Sequence, residues 1–344
     1  MTPAGPARRA QAAPGGGIGG VRIEHFTPPR PGPGEALVRM RAASLNYRDL
    51  LGLRGYLPDM ENRPVYVPLS CGCGEVVAVG AGVDRVTPGM RVSPIFALGW
   101  ISGGFETLTK AHLGGPVDGT AASLAVFPAD SLVAIPDILG DLEAATLPCA
   151  GITAWSALTL VRPIHPGDLV ILQGTGGVSI AAMQFAKAAG AQVAITSSSD
   201  AKLARARALG ADICVNYRRD PDWAAAIRRE AGRGGDLLID VVGTSELAQA
   251  TAVLDADGVI ASVGLLSGVP SRQSKAERPI VPVMTGNRDT FEAMLRAIEV
   301  NRLRPVVDRV FPLDDLARAF EELESGRFFG KIAVTIDRGL ARLN

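Results

Sequence analysis

GDLVILQGTGGVSIAAMQFAKAAG spans residues 167–190. Leu169 to Leu172 is an apolar run of strand length. Gly174, Thr175, Gly176, Gly177 and Val178 form a glycine-rich turn, after which Ile180, Met183, Gln184 and Ala188 recur at helical spacing up to Gly190. Strand, tight turn and helix in that order make a cradle for a pyrophosphate. Glycines let backbone N–H groups come close to it, and the helix N-terminus adds unpaired donors and partial positive charge. The third glycine of GxGxxG is Ser179 here, at a position that asks mainly for a small residue between helix and strand. A bare GxGxxS also fits an ordinary strand-to-helix turn, so context has to decide.

The context is an alternation that runs outward from this stretch. Strands are expected at 169–172, 192–196, 213–215, 236–240 and 258–263, and helices at 178–189, 200–209, 222–231 and 246–254. That spacing predicts a doubly wound parallel sheet, with the glycine turn after its first strand, where a dinucleotide fold needs it. Upstream, from Val21 to about Pro136, short alternating runs punctuated by Gly and Pro (36–42, 74–79, 90–94, 123–127, 132–135) predict a β-rich barrel or sandwich with one helix near 47–54. Residues 1–20 read as a Pro, Gly, Ala and Arg-rich tail. The 97–119 segment lacks a period and reads either as a lid over a site or as a surface insertion anchored by Trp100. Downstream, a polar stretch (267–278), a strand (280–284), a helix (289–300), a strand (306–311), a helix (313–325) and a strand (331–336) return the chain to the β-domain.

A length of 344 residues suits two domains, and a formal net charge of +0 gives no electrostatic grip on nucleic acid or acidic membranes. The four cysteines (Cys71, Cys73, Cys149, Cys214) lack disulfide-framework or zinc-knuckle spacing, which fits reduced thiols in a cytoplasmic protein. No signal peptide or membrane span is expected.

The end of the second strand selects the dinucleotide. An NAD site carries an acid there for the ribose hydroxyls, whereas this chain has Thr196, Ser197, Ser198 and Ser199, followed by Lys202. Small hydroxyls and an ammonium suit a 2′-phosphate, so NADPH is expected. Ser199 or Asp200 also reads as a helix N-cap, and Lys202 also as a solvated helix residue.

SLNYRDLLGLRGY (44–56), VPLSCGCGEVVAVGAGV (67–83), ATLPCAGITAW (145–155), LQGTGGVS (172–179), ALGADICVNYR (208–218), GVIASVG (258–264) and RPVVDRVFPLDDLARAFEELESGRFFGKI (304–332) together resemble the medium-chain dehydrogenase/reductase superfamily. The likeness is to its zinc-independent quinone oxidoreductase-like branch, over nearly the whole chain. It implies a GroES-like domain from residues 1–136 and 287–344, a Rossmann domain at 137–286, an active site in a cleft, and a homodimer paired near Ile280–Met284. It places Lys202 and Tyr217 at the 2′-phosphate, Asn46 at the nicotinamide pocket, and Val242, Gly243, Thr244, Val263, Gly264 and Leu265 along the ribose and nicotinamide. Where zinc-dependent relatives hold ligands, the resemblance places Asn46, Ser70 and Cys149, a poor zinc set, so no metal is expected.

The expected chemistry is hydride transfer from NADPH to a quinone or an α,β-unsaturated carbonyl. A zinc-free carbonyl reductase and a catalytically silent NADPH-binding scaffold are the alternatives. Asn46 and Tyr56 are the candidate catalytic groups, with helix capping as the alternative for Asn46. Asp49 reads as a structural partner of a basic group or backbone N–H. His112 is the one histidine placed to approach the cleft. Cys71 stands where close relatives typically have Asp, and Cys73 where a small Ala is common.

Overall fold

A computed structural model describes residues 7–60, 62–264 and 278–336 of the chain. The chain divides into two compact units, Met1–Ile152 with Gly286–Asn344, and Thr153–Thr285.

The second unit is a six-stranded sheet in the order 213–216, 192–197, 169–173, 235–240, 254–262, 280–282, with every neighbouring pair parallel. Numbered within the unit this is 3-2-1-4-5-6, the dinucleotide-binding order, which reverses direction beside strand Leu169–Gln173. Leu169, Val170, Ile171 and Leu172 are all buried, as a parallel strand covered on both faces requires. Helices Gly177–Ala188, Asp200–Ala208 and Trp223–Ala231 connect the strands as the periodicity predicts. Ser199 takes the N-cap of the second, its Oγ accepting from Lys202 N at 3.4 Å.

Asp168, just before the first strand, is held by His165 N at 2.9 Å and Arg162 Nη1 at 2.7 Å. Burial acts to raise its pKa, but these two contacts outweigh it and keep the carboxyl below its usual 3.8. A depressed folded-state pKa contributes stability above the unfolded value and loses it as pH falls through the folded one. The stability gap between wild type and Asp168→Asn should therefore be full above about pH 4 and close under more acid conditions in denaturant unfolding. A gap independent of pH over that range would contradict the assignment.

The first unit is built from both ends of the chain. Its sheet runs 307–312, 331–335, 35–44, 71–79, 91–94, 132–134, with 124–128 also pairing to 35–44. Strand Lys331–Thr335 lies antiparallel to Glu35–Ser44, with Val334 opposite Ala43. The alternating Cys-Gly-Cys-Gly at 71–74 follows from the pleat, since neighbouring residues face opposite sides. A Cβ on Gly74 would lie 2.3 Å from Arg39 O, and one on Gly72 2.5 Å from Met40 Cε. Only glycine fits that face, and both thiols fall on the other.

Two expectations change. From residue 7 onward the tail reading gives way to a hairpin in which Ala7–Gln11 pairs with Arg22–Phe26, and Ala10 N donates to Ala121 O at 2.7 Å. Its first strand buries Ala7 and Ala10, small residues three apart that show no two-residue hydrophobic alternation. The 137–152 segment, expected with the Rossmann domain, belongs to the first unit. Asp141 is bound by Arg91 Nη2 at 2.9 Å, Glu143 by Arg304 Nε at 2.7 Å, and Ala145 O by Ser44 Oγ at 2.8 Å. Leu265, expected along the ribose and nicotinamide, and residues 267–277 of the polar stretch lie outside the described residues.

Candidate functional site

The glycine turn leaves the carboxyl end of the first strand of the second unit. Gly174 has φ +69°, a left-handed conformation that favours glycine. Gly176 is extended (φ −80°, ψ −177°) and caps the following helix. A Cβ on either would meet no atom within 4 Å. Protein packing therefore does not demand glycine at 176, whereas a pyrophosphate laid on the backbone would. Thr175 lies in the same turn, and Gly177 and Val178 open the helix. Ser179 does what a small third residue should: it is buried, its Oγ donating to Gln173 O at 2.7 Å. The Gln173 side-chain amide is buried with neither polar atom hydrogen-bonded, an orphan at the mouth of the turn.

The neighbouring strand ends converge on the same edge. Thr196 and Ser197 are buried, and Ser198 follows them. Tyr217 is 42% exposed, its N donating to Ser197 O at 3.2 Å. Lys202 stands in the first turn of helix Asp200–Ala208. Asp200, the acid next to this strand end, is taken by an ion pair with Arg219 and by Asn216 Nδ2 at 2.8 Å. Asp240 Oδ1 accepts from Val242 N at 3.0 Å and Gly243 N at 2.8 Å. Gly264 lies so close to that loop that its Cβ would be 2.6 Å from Gly243 N. Val263 N donates to Asp240 O at 2.8 Å, and Thr244 opens the short turn Thr244–Glu246. The described part of the expected dinucleotide set is thus gathered at one sheet edge, and it fits the group.

In the first unit the polar residues gather around Asn46, which precedes helix Tyr47–Leu53. Asn46 stands at the N-cap, but its side chain turns elsewhere. Its Oδ1 accepts from Lys331 Nζ at 2.6 Å, and its Nδ2 donates to Cys71 Sγ at 3.1 Å. Lys331 also donates to Leu45 O. The capping contact comes instead from Asp49, whose Oδ2 accepts from Asn46 N at 2.8 Å. Asp49 Oδ1 takes the Ser70 hydroxyl at 2.6 Å, while Arg48 Nη1 donates to Ser70 Oγ at 2.6 Å and to Leu113 O at 2.8 Å. The Arg48 guanidinium lies 4.7 Å from the Phe96 ring centre, and His112 stacks on that ring at 4.8 Å. Burial, then the Arg48 charge, pushes the His112 pKa down, and its Nε2 is buried without a partner. Burial also pushes Lys331 down, against the neighbouring thiols and Asp49.

Tyr56 does not join this group: it is 72% exposed on the turn beyond the helix. The 97–119 segment folds back on itself, with Leu98 N donating to Ala111 O at 2.9 Å. Trp100 is buried there, its Nε1 on Thr107 Oγ1 at 2.9 Å, as an anchor should be. Arg48 and Lys331 are site residues the sequence reading missed. Lys331 opens a run, KIAVT, that reads as a strand with a solvated flank, yet only 6% of it is exposed.

A nucleotide-binding sheet carrying a glycine turn, joined in one chain to a β-unit built from both termini, fits one family of enzymes. Residues 32–137 match the alcohol dehydrogenase GroES-like domain, and residues 209–334 the zinc-binding dehydrogenase domain. The chain belongs to the medium-chain dehydrogenase/reductase superfamily. It is 39% identical over 327 residues (91% of this chain, 94% of the relative) to a zinc-type alcohol dehydrogenase-like protein of Schizosaccharomyces pombe. A putative alcohol dehydrogenase structure from Sinorhizobium meliloti superposes with TM-score 0.87 at 34% identity, covering 96% of this chain and 99% of that one. An NAD-dependent alcohol dehydrogenase structure gives 0.88 at 33%, covering 96% and 100%. More distant at 26% identity is a mycobacterial structure complexed with NADPH, TM-score 0.80, covering 96% and 100%. This member of the superfamily is an oxidoreductase with a nucleotide-binding unit.

Membership raises the question of zinc, and the donor set does not fit it. Asn46 offers an amide oxygen already held by an ammonium, and Ser70 a hydroxyl already held by a guanidinium. Cys149 is the single soft ligand of the three. A dication there would have to displace two cations from neutral ligands.

Proposed function

We propose that this superfamily member is an NADPH-dependent, zinc-independent reductase that delivers hydride to the C=C of an α,β-unsaturated carbonyl compound or to a quinone. The observation that carries the reading is the occupation of Asn46 Oδ1 and Ser70 Oγ by Lys331 and Arg48. Without a Lewis acid, a reducible group already conjugated to a carbonyl is the electrophile that hydrogen bonding alone can activate. NADPH supplies the hydride when bound. The N–H groups of Gly174 to Val178 hold its pyrophosphate, while Ser197, Ser198, Lys202 and Tyr217 surround the 2′-phosphate. Val242, Gly243, Thr244, Val263 and Gly264 line the ribose. Asn46 presents the second hydrogen of Nδ2 to a substrate carbonyl, its oxygen being pinned by Lys331. Asp200 does not repel the phosphate because Arg219 and Asn216 already engage it.

Fluorescence titration tests the cofactor. Lys202→Ala should weaken NADPH about tenfold, ~1.4 kcal/mol, and leave NADH unchanged. Equal loss for both nucleotides would remove the 2′-phosphate assignment. Incubating the enzyme with enones and quinones, with product analysis, should show saturated ketones and hydroquinones, unaffected by zinc chelators. Allylic alcohols as products, or chelator-sensitive turnover, would replace this reading with carbonyl reduction. We further propose a homodimer paired through strand Ile280–Pro282, one of the two edge strands of its sheet, which light scattering would read as twice the chain mass.

A further inference from the structure

Lys331 meets Asn46 through the register of two strands. Ala333 lies opposite Ser44 in their antiparallel pairing, and Leu45 N donates to Ile332 O at 3.1 Å. The same register sets Lys331 opposite Asn46, where strand Glu35–Ser44 gives way to helix Tyr47–Leu53. Lys331 is buried there, and its ammonium donates to Asn46 Oδ1 at 2.6 Å and to Leu45 O. Both acceptors are neutral, and Asp49 acts on the ammonium through space. A buried cation held by neutral acceptors lowers stability relative to an apolar strand residue, so stability alone gives little reason for a lysine at this position.

The chemistry of the pair fixes which way the carboxamide faces. An ammonium has three donors and no acceptor, so only Oδ1 can face it. Nδ2 then points the other way, where one of its hydrogens goes to Cys71 Sγ at 3.1 Å. Without the ammonium the choice would be open, because the two ends of an amide have nearly the same shape. Burial holds the Cys71 thiol well above its usual pKa, so it keeps its proton and could donate S–H to Oδ1 instead of accepting from Nδ2. The inverted amide would offer a substrate carbonyl an oxygen in place of an N–H.

We propose that Lys331 is a positioning residue for the reduction: it holds the Asn46 amide with Nδ2 as the end that meets a substrate carbonyl, and its charge makes that amide a stronger donor. The proposal rests on the reductase reading of this enzyme. The ammonium draws electron density toward Oδ1, which leaves the Nδ2 hydrogens more positive, so the effect of a charge-assisted hydrogen bond is passed on by one link. As hydride adds to a conjugated C=C or a quinone, negative charge builds on the carbonyl oxygen. The Nδ2–H dipole and the Lys331 charge behind it act on that charged oxygen more strongly than on the neutral ground state, and a difference of that kind raises kcat. Lys331 acts through Asn46 and needs no contact with substrate.

The test uses the full chain, isotopically labelled at the asparagine side-chain nitrogens for NMR, together with steady-state turnover of an enone. The Asn46 side-chain amide, assigned by its loss in Asn46→Ala, should resonate downfield of the other asparagines and return to their range in Lys331→Met. The same variant should lower kcat about ten- to a hundredfold, with the enone KM and the NADPH affinity within about threefold of wild type. Lys331→Gln, which offers an N–H donor without the charge, should keep the amide orientation and recover part of kcat. A Lys331 that served the fold alone would move stability without this split between kcat and KM. Asn46 resonances that Lys331→Met leaves unchanged, or a kcat equal to wild type in that variant, would overturn the proposal. If Lys331→Met fails to fold, the wild-type resonances and Lys331→Gln decide, and an Asn46 amide indistinguishable from exposed asparagines in the wild type counts against it. Wild-type enzyme that reduces neither enones nor quinones would sink the reductase reading itself, whereas an active wild type matched by its Lys331→Met variant would sink only the role of Lys331.

Discussion

Gly176→Val should abolish tight NADPH binding while leaving the protein as stable as the wild type. Gly176 is extended, so valine suffers no backbone strain there, and its Cβ would meet no protein atom within 4 Å. A branched side chain over the turn does, however, stand between the pyrophosphate and the N–H groups that receive it. The expected rise in Kd is a hundredfold or more, about 2.8 kcal/mol, with a thermal midpoint within a degree or two of wild type. Gly174→Val is the contrasting variant. At φ +69° a non-glycine residue costs roughly 1–2 kcal/mol, so both affinity and stability should fall. If Gly176→Val binds NADPH normally, the pyrophosphate does not lie on this turn. If it unfolds, the free space around Gly176 has been misassigned.

The second large effect is on stability. Asp49→Ala should lower the unfolding free energy by about 3–5 kcal/mol, because it strands groups that have no water to turn to. Asp49 is 1% exposed, and its carboxylate answers Asn46 N, the Ser70 hydroxyl and, at 3.8 Å, the Arg48 guanidinium. Ser70→Ala removes one neutral donor from the same network and should cost about 1–1.5 kcal/mol. Asp200→Ala breaks an ion pair whose side chains are 73% and 51% exposed and should cost under about 1 kcal/mol. Denaturant unfolding of the three variants should rank them in that order. Similar values for Asp49→Ala and Asp200→Ala would mean that water reaches Asp49.

The Rossmann sheet was legible because its evidence is local. The central strands 169–173, 192–197 and 235–240 are short apolar runs covered on both faces, the connections between the first five strands carry a helical period, and Gly174, Gly176 and Ser179 keep a spacing that backbone geometry imposes. The N-terminal hairpin was not legible, since the buried residues of its first strand, Ala7 and Ala10, are small and fall three apart, so no two-residue alternation marks the strand. The 137–152 segment was misplaced for a related reason. Its attachment is made by Asp141, Glu143 and the Ala145 carbonyl to Arg91, Arg304 and Ser44, residues remote in sequence that no period connects.

By itself, then, the sequence determined the doubly wound sheet, the glycine turn and the acid-free strand end from Thr196 to Ser199, because each depends on residues close together in the chain. Tertiary structure alone decided the environment of Asn46. Lys331 reaches it from the far end of the chain, Cys71 from the neighbouring strand, and Asp49 displaces it from its capping role. Whether an amide serves as a cap, a metal ligand or one link in a hydrogen-bonded line depends on which donors and acceptors surround it once water is excluded. Pairings between distant residues set that environment, and no local pattern encodes them.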